Sequence, residues 1–279
     1  MDMDLLLVRE TAILIACALA AYTDYKTGFI YDKITYSLMG FGALLLAFDF
    51  WQAGNIDWAV LAIPVAVFAG GLLLYYSGKT GGGDVKLLSG IAITLPWLSG
   101  RIFVAGVLLA ASLLAIVVMG AYFITKYALS KPRWTENKGR LPIALLLAMI
   151  LTAYFWFAWS IRIFSGPAIA LLTLPMAIAV LFLALEPGIR RQFFLKRVGL
   201  DQLEEDEIIA REYCDEQTRM ALAGSSLGVL TENEIAKLRD AGIENVPVYR
   251  GLPPFGPFIL AGVLLSLFFP QWLGLLMPV

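Results

Sequence analysis

Long apolar runs separated by short polar loops set the frame of this chain. Eight runs approach the ~20 residues a helix needs to cross a bilayer. They are residues 5–22, 34–50, 58–76, 82–98, 102–124, 141–159, 166–185 and 256–277. The fourth is short and needs the glycines before Asp84 or a thin spot in the bilayer. The sixth and seventh are split only by residues 160–165, which include Arg162, so a tight helical hairpin is expected there. No internal repeat is obvious. The pattern predicts an all-α polytopic membrane protein with a small α+β soluble domain in the one polar stretch, 186–255. Within that stretch, Thr231-Glu232-Asn233-Glu234 is a capping box that starts a short helix, and Gly242 should end it. Val246-Pro247-Val248-Tyr249 reads as extended. The stretch has few large apolar residues and should lean on the membrane part for stability. The expected division is 1–185 transmembrane, 186–255 soluble and 256–279 a final transmembrane helix.

Composition agrees with this class: 59% of residues are hydrophobic and 15% charged, and the mean hydropathy is +0.77. Soluble domains run nearer 45–50% apolar and about 25% charged. The net charge of −1 says little as a total, but the placement of the cations says more. The loops at 24–33, 77–81 and 125–140, with the adjoining Lys86, hold nine Lys and Arg. Only Arg9, Arg101 and Arg162 lie on the other side. With segment 186–255 added, the first side holds 18 of the 21 cations. That side is expected to be cytoplasmic, with both termini outside. The first residues carry Asp2 and Asp4 rather than a basic cluster, and no small-residue cleavage site follows, so a cleavable signal is not expected. Trp51, Trp58, Trp97, Trp159 and Trp272 fall at span ends, where interfacial belts form. Arg190, Arg191, Lys196 and Arg197 beside Phe193 and Phe194 read as a helix extension on the anionic inner leaflet, or as plain topology.

The residue inventory narrows the chemistry. There is no histidine, which removes Ser-His and Cys-His catalysis and every His-ligated metal. Cys17 and Cys214 are far apart, so neither a disulfide framework nor a Cys-based metal site is expected, and no cofactor is implied. Carboxylates remain. Nine lie outside the polar segment: Asp2, Asp4, Glu10, Asp24, Asp32, Asp49, Asp57, Asp84 and Glu136. Most have bland readings. Asp2, Asp4, Glu10 and Asp57 are external, Glu136 sits in a basic loop, and Asp49 near an outer span end reads as solvated or capping. Asp24 and Asp84 differ. Asp24 closes the first span and Asp84 opens the fourth, on the same cytoplasmic face. Asp84 follows Gly81-Gly82-Gly83, where the backbone bends, moves or admits a close neighbour. A carboxylate flanked by membrane-grade sequence is a functional candidate. Asp32 shares that face beside Lys33 and reads as solvated or substrate-facing. Gly78-Lys79-Thr80 only superficially resembles a phosphate-binding loop, because Leu73 stands at the leading glycine. The dinucleotide fingerprint fails with Lys86 at its third glycine.

Two acids at one membrane face suit aspartyl proteolysis. One must be ionised to take a proton from water, and the other protonated to polarise the scissile carbonyl. Close like charges cannot both ionise, so the pair would share one proton.

Asp24-Tyr25-Lys26-Thr27-Gly28-Phe29-Ile30-Tyr31-Asp32 resembles the first motif of type IV prepilin peptidases. Gly81-Gly82-Gly83-Asp84-Val85-Lys86 resembles their second, Gly-x-Gly-Asp-x-Lys. The polar segment returning through Gly251-Leu252-Pro253-Pro254-Phe255-Gly256-Pro257 is similar to archaeal members, the preflagellin (pre-archaellin) peptidases. The resemblance implies a membrane aspartyl endopeptidase with Asp24 and Asp84 as the catalytic pair. Gly81, Gly83 and Lys86 would belong to the catalytic-loop motif, and Asp32 would be the nearest acid for a basic leader. Substrates would be prepilin-like or pre-archaellin proteins in the bilayer, cut between a short basic leader and an apolar helix on the cytoplasmic side, with no nucleic acid and no metal involved. Tyr31 departs from the family's proline. The bacterial type's paired Cys-x-x-Cys domain, which goes with zinc and N-methylation, is not present, so methyl transfer is not assigned. The spans between 141 and 185 have no counterpart in the family pattern.

Three other readings stand beside this one. An ion-coupled transporter would place acids deep in spans and on both sides of the midplane, whereas these cluster at one face. A presenilin-like protease shares Gly-x-Gly-Asp but cuts inside the substrate's membrane helix. A non-catalytic scaffold would use the soluble segment and dispense with both acids.

Overall fold

The computed structural model describes residues 3–132, 134–204, 207–223 and 228–276; Asp2, Arg133, Glu205, Asp206 and Met277 lie outside these. The first helices are α1 (Met3–Thr27), α2 (Asp32–Ala53), α3 (Trp58–Tyr76) and α4 (Gly82–Thr94). A two-stranded hairpin of β1 (Trp97–Leu98) and β2 (Arg101–Ile102) follows. Then come α5 (Phe103–Leu129), α6 (Leu141–Ser160) and α7 (Gly166–Ile189). The polar stretch forms β3 (Leu195–Gly199), β4 (Ile208–Ile209), α8 (Glu216–Ala221), α9 (Glu232–Asp240) and β5 (Asn245–Tyr249), and α10 (Gly256–Phe268) returns to the helices.

Six of the eight expected spans, α1, α2, α3, α5, α6 and α7, are helices long and apolar enough to cross a membrane. The other two, α4 and α10, have 13 residues each. A proline two residues past each shortened helix explains both. The residue before proline is pushed out of the helical region. Leu95 before Pro96 sits at φ −140°, ψ 81°, and Phe269 before Pro270 at φ −132°, ψ 60°. Beyond α10 the chain turns tightly as a 3-10 segment, Pro270–Leu276. The α6–α7 connection is the expected hairpin. Arg162 takes a left-handed φ of 53° at its corner, and the Ser165 side chain caps α7 by accepting the Ala168 N–H.

Helix α4 lies at the centre, between α2 and α3 and against α1 and α5. Helix α10 wedges between α1 and α5. Helix α7 packs on α5, and α6 on α7. Ile13, Cys17, Ala20, Leu87, Ile91, Val107, Ile259 and Val263 meet in this core. An apolar groove of about 640 Å³ between α6 and α7, walled by Leu141, Trp156 and Met176 among others, contains none of the expected site residues.

The polar stretch folds as a three-stranded antiparallel sheet in the order β3-β5-β4, with Val198 opposite Val246 and Ile209 opposite Val248. Helix α9 starts with the capping box read from sequence: Thr231 Oγ1 accepts the Glu234 N–H, and the Glu234 carboxylate accepts the Thr231 N–H. Val198, Ile209, Leu230, Leu238, Val246 and Val248 form its own core. A second cluster joins it to the helices, with Phe123 and Tyr127 of α5, Ile189 of α7, Phe194 and Tyr249. Helix α7 runs on into this unit as a π-turn, Arg190–Phe194. Two cations of the expected basic patch are paired there, Arg190 with Glu186 and Arg191 with Glu136. Trp51, Trp58, Trp97 and Trp159 are exposed, but Trp272 is buried beside Ala110 and Leu113 rather than in a belt. The 3-10 turn after Pro270 folds it inward.

Candidate active site

The buried face of α1 reads Arg9, Ile13, Ala16, Cys17, Ala20 and Asp24, a helical stripe with a charge at each end. Asp24 is thus in phase with the core and not with the surface. Its backbone carbonyl accepts the Gly28 N–H at 2.8 Å, and Gly28 closes α1 at φ 76°. Its side chain meets α10. The Gly256 N–H donates to Asp24 Oδ2 at 2.7 Å, and the Phe255 N–H is also directed at the carboxylate. These are orphan donors of the first turn of α10, so the positive end of that helix lies against the acid. A Cβ at Gly256 would lie 2.9 Å from Asp24 Oδ2, so glycine is what lets the two elements touch.

Asp84 is the third residue of α4, after Gly81 in the capping position. Its carboxylate folds back toward Gly81, the direction a capping-box acid takes. The glycines do separate jobs. A Cβ at Gly81 would approach Asp84 Oδ2 to 3.0 Å, and one at Gly83 would approach the Ile30 Cβ to 2.9 Å. Gly83 therefore seats the start of α4 directly on the loop that follows Asp24. Each acid lies at the start of a helix: Asp84 its own, Asp24 that of α10. The seat of Gly83 on Ile30 sets the start of α4, and Asp84 with it, beside the loop that leaves Asp24.

Asp32 and Lys86 also come together, at 2.6 Å, with the ammonium 5.1 Å from the Tyr36 ring centre. Asp32 is the first residue of α2 and stays exposed. The motif lysine thus ties α4 to α2 one turn beyond Gly83.

Residues 11–124 match the model of the type IV leader peptidase family. A relative, "Prepilin peptidase EppA" of Methanothermobacter thermautotrophicus, is 32% identical over 87 residues, covering 30% of this chain and 22% of the relative. The match thus spans about a fifth of that protein's length. No solved structure matches the chain.

The matched segment contains Asp24, Asp32, Gly81, Gly83, Asp84 and Lys86, and ends within α5. What holds Asp24 from the other side, Phe255 and Gly256, lies outside it. So does Arg9, a buried residue whose role the sequence did not reveal. Its guanidinium donates to the Thr94 carbonyl at 2.6 Å, to the Leu45 carbonyl at 3.1 Å and to Asp49 Oδ2 at 2.7 Å. Asp49 is therefore neither simply solvated nor a cap. It is the partner of an arginine that closes the far end of α4. The signal in sequence was a lone cation four turns before Asp24 on the same face. Among the described residues, no group of three or more His, Cys, Asp or Glu is placed to hold a metal ion.

Proposed function

We propose that this protein is a membrane aspartyl endopeptidase that removes short basic leaders from prepilin-like or pre-archaellin precursors at the cytoplasmic face. Asp24 and Asp84 are its catalytic pair. The observation that carries this reading is that the start of α4, with Asp84, sits on the loop that leaves Asp24, 60 positions earlier, and that each acid lies at a helix start. The family match over residues 11–124 supports it. So does the resemblance to a protein named a prepilin peptidase.

The pair holds one proton between two carboxyls. The ionised one takes a proton from water as the oxygen attacks the scissile carbonyl carbon. The protonated one donates to the carbonyl oxygen, giving a neutral gem-diol. Collapse breaks the C–N bond. The proton taken from water passes to the leaving nitrogen, and a diol hydroxyl returns its proton to the other carboxylate, restoring the starting state. Asp32, exposed at the same face, serves a basic leader by charge, in competition with Lys86. The six long helices make this a multi-pass membrane protein. Its cation distribution supports both termini lying outside.

The test uses purified protein in a bilayer mimic with a peptide carrying a basic leader followed by an apolar helix. Asp24→Asn or Asp84→Asn should lower the rate by roughly 10²–10⁴-fold, with the double variant no worse than the weaker single. Mass spectrometry should place the cut before the apolar helix. Undiminished cleavage in either variant, or a cut inside the helix, removes the reading.

A further inference from the structure

The sheet unit touches both sides of the acid pair. One arm runs from β4. Ile208 bridges Val229, the Leu230 N–H donates to the Glu207 carbonyl at 2.9 Å, and the Gly228 N–H donates to the Tyr76 carbonyl at 2.8 Å. This last bond lands on the turn that closes α3, shortly before Gly81. The fit is tight. A Cβ at Gly228 would lie 2.4 Å from the Ser77 carbonyl oxygen, and one at Gly78, which sits at φ 71°, would lie 3.1 Å from the Gly228 oxygen. Backbone meets backbone there, with no flexible side chain to yield.

The other arm leaves β5. The Arg250 N–H donates to the Phe194 carbonyl at 3.0 Å. Its guanidinium pairs with Glu207 at 2.5 Å and reaches the Gln202 carbonyl at 2.5 Å. Six residues later Gly256 donates to Asp24. Two prolines, Pro253 and Pro254, stiffen that connection, because each fixes its own φ and restricts the residue before it.

Glu207 is where the arms meet. Its backbone carbonyl holds the segment that presses on the α3–α4 turn. Its carboxylate holds the arginine from which the chain departs for Asp24. We propose that the sheet unit is a clamp that sets the separation of Asp24 and Asp84, with the Glu207–Arg250 pair as its clasp. Glu207, Arg250 and Gly228 are positioning residues, and none of them touches the acids. This rests on the reading of Asp24 and Asp84 as the catalytic pair. It gives the unit a role distinct from substrate binding.

The experiment uses the full chain in nanodiscs. Activity is read on the leader peptide for Gly228→Ala, Glu207→Gln and Arg250→Gln. Each should lower kcat by about ten- to a hundredfold, as expected of a misplacement near 1 Å, and leave KM within about twofold. The pH profile of kcat should narrow, because the two limbs draw together as the acids decouple. The reversed pair Glu207→Arg/Arg250→Glu should recover more activity than either single reversal. Raised KM at constant kcat means the unit binds substrate, and the clamp is wrong. Reduced folded protein with unchanged kcat and pH profile means it only stabilises, and the clamp is again wrong.

A second readout does not need cleavage. Spin labels at Tyr25→Cys and Lys79→Cys, both exposed, report the distance between the two sides of the site; Cys17 and Cys214 are buried. The distance distribution should be narrow in the otherwise unaltered chain and broad or shifted with Gly228→Ala. An unchanged distribution overturns the clamp. Failure of the otherwise unaltered chain to cut the peptide, with the expected shift in Gly228→Ala, overturns the peptidase reading alone.

Discussion

The backbone N–H of Gly256 donates to Asp24 Oδ2 at 2.7 Å, so the carboxylate at the end of α1 is held by the first turn of α10. Any side chain at 256 must push these apart. Gly256→Ala should lower stability by ~1–3 kcal/mol, the usual cost of overpacking, and should reduce cleavage in the folded fraction. Thermal unfolding and steady-state kinetics on the same preparation check it. Wild-type values in both would mean the contact is not made.

The shared proton predicts a bell-shaped pH dependence. At low pH both carboxyls are protonated and no base remains. At high pH both are ionised and nothing donates to the carbonyl. Rates fall on both sides of a maximum, and the two limbs belong to the pair rather than to either residue. A rate that stays level from about pH 4 to about pH 9 would contradict a dyad.

Asp32 and Lys86 make a test of charge in opposite directions. The pair is partly exposed, with side chains 59% and 29% accessible, so breaking it should cost no more than ~1 kcal/mol of stability. Asp32→Asn should raise KM for a basic-leader peptide. Lys86→Gln, which unmasks the acid, should lower it. A peptide with a neutral leader should respond to neither. Equal changes for both leaders would exclude a charge-based role for Asp32.

Tyr31 sits at φ −71°, ψ 136°, already in the range proline imposes. Tyr31→Pro, which restores the family pattern, should therefore be neutral or stabilise by about 0.4–1 kcal/mol through the unfolded chain, with activity retained. A fall in the unfolding midpoint would show that the loop depends on something other than its dihedral.

Both candidate acids were legible in sequence because short-range signals marked them: the glycine run before Asp84, and for Asp24 a carboxylate closing the first span on the same face. The grip on Asp24 was not, since its donors are backbone groups 232 positions away. The Arg9–Asp49 pair was hidden for a similar reason. Each residue has a bland local reading as a loop-side charge, and only the packing of α1 against α2 and α4 joins them. Span lengths were overestimated where a proline cut the helix but the apolar run continued, at Pro96 and Pro270. Hydropathy counts side chains. It does not register a backbone that has stopped being helical.

Arg9→Met should show how much the far end of α4 matters. It strands Asp49, which is 35% accessible, and leaves the Thr94 carbonyl without its donor. A loss of about 3 kcal/mol is expected, the low end for breaking a buried pair. Arg9→Met/Asp49→Leu should regain most of it, as measured by denaturant unfolding. A double variant no more stable than the single would place the cost in packing rather than in the orphaned charge.

Pinned by a guanidinium at one extremity and carrying its acid at the other, α4 works as a ruler. Its 13 residues rise about 20 Å, and neither extremity is free to slide. One inserted residue between Asp84 and Thr94 would turn the acid by about 100° and lift it about 1.5 Å. Insertions in the exposed 54–57 loop between α2 and α3 would leave both ends of α4 in place. Length variation among natural variants of this chain should therefore collect in that loop and be missing from this helix.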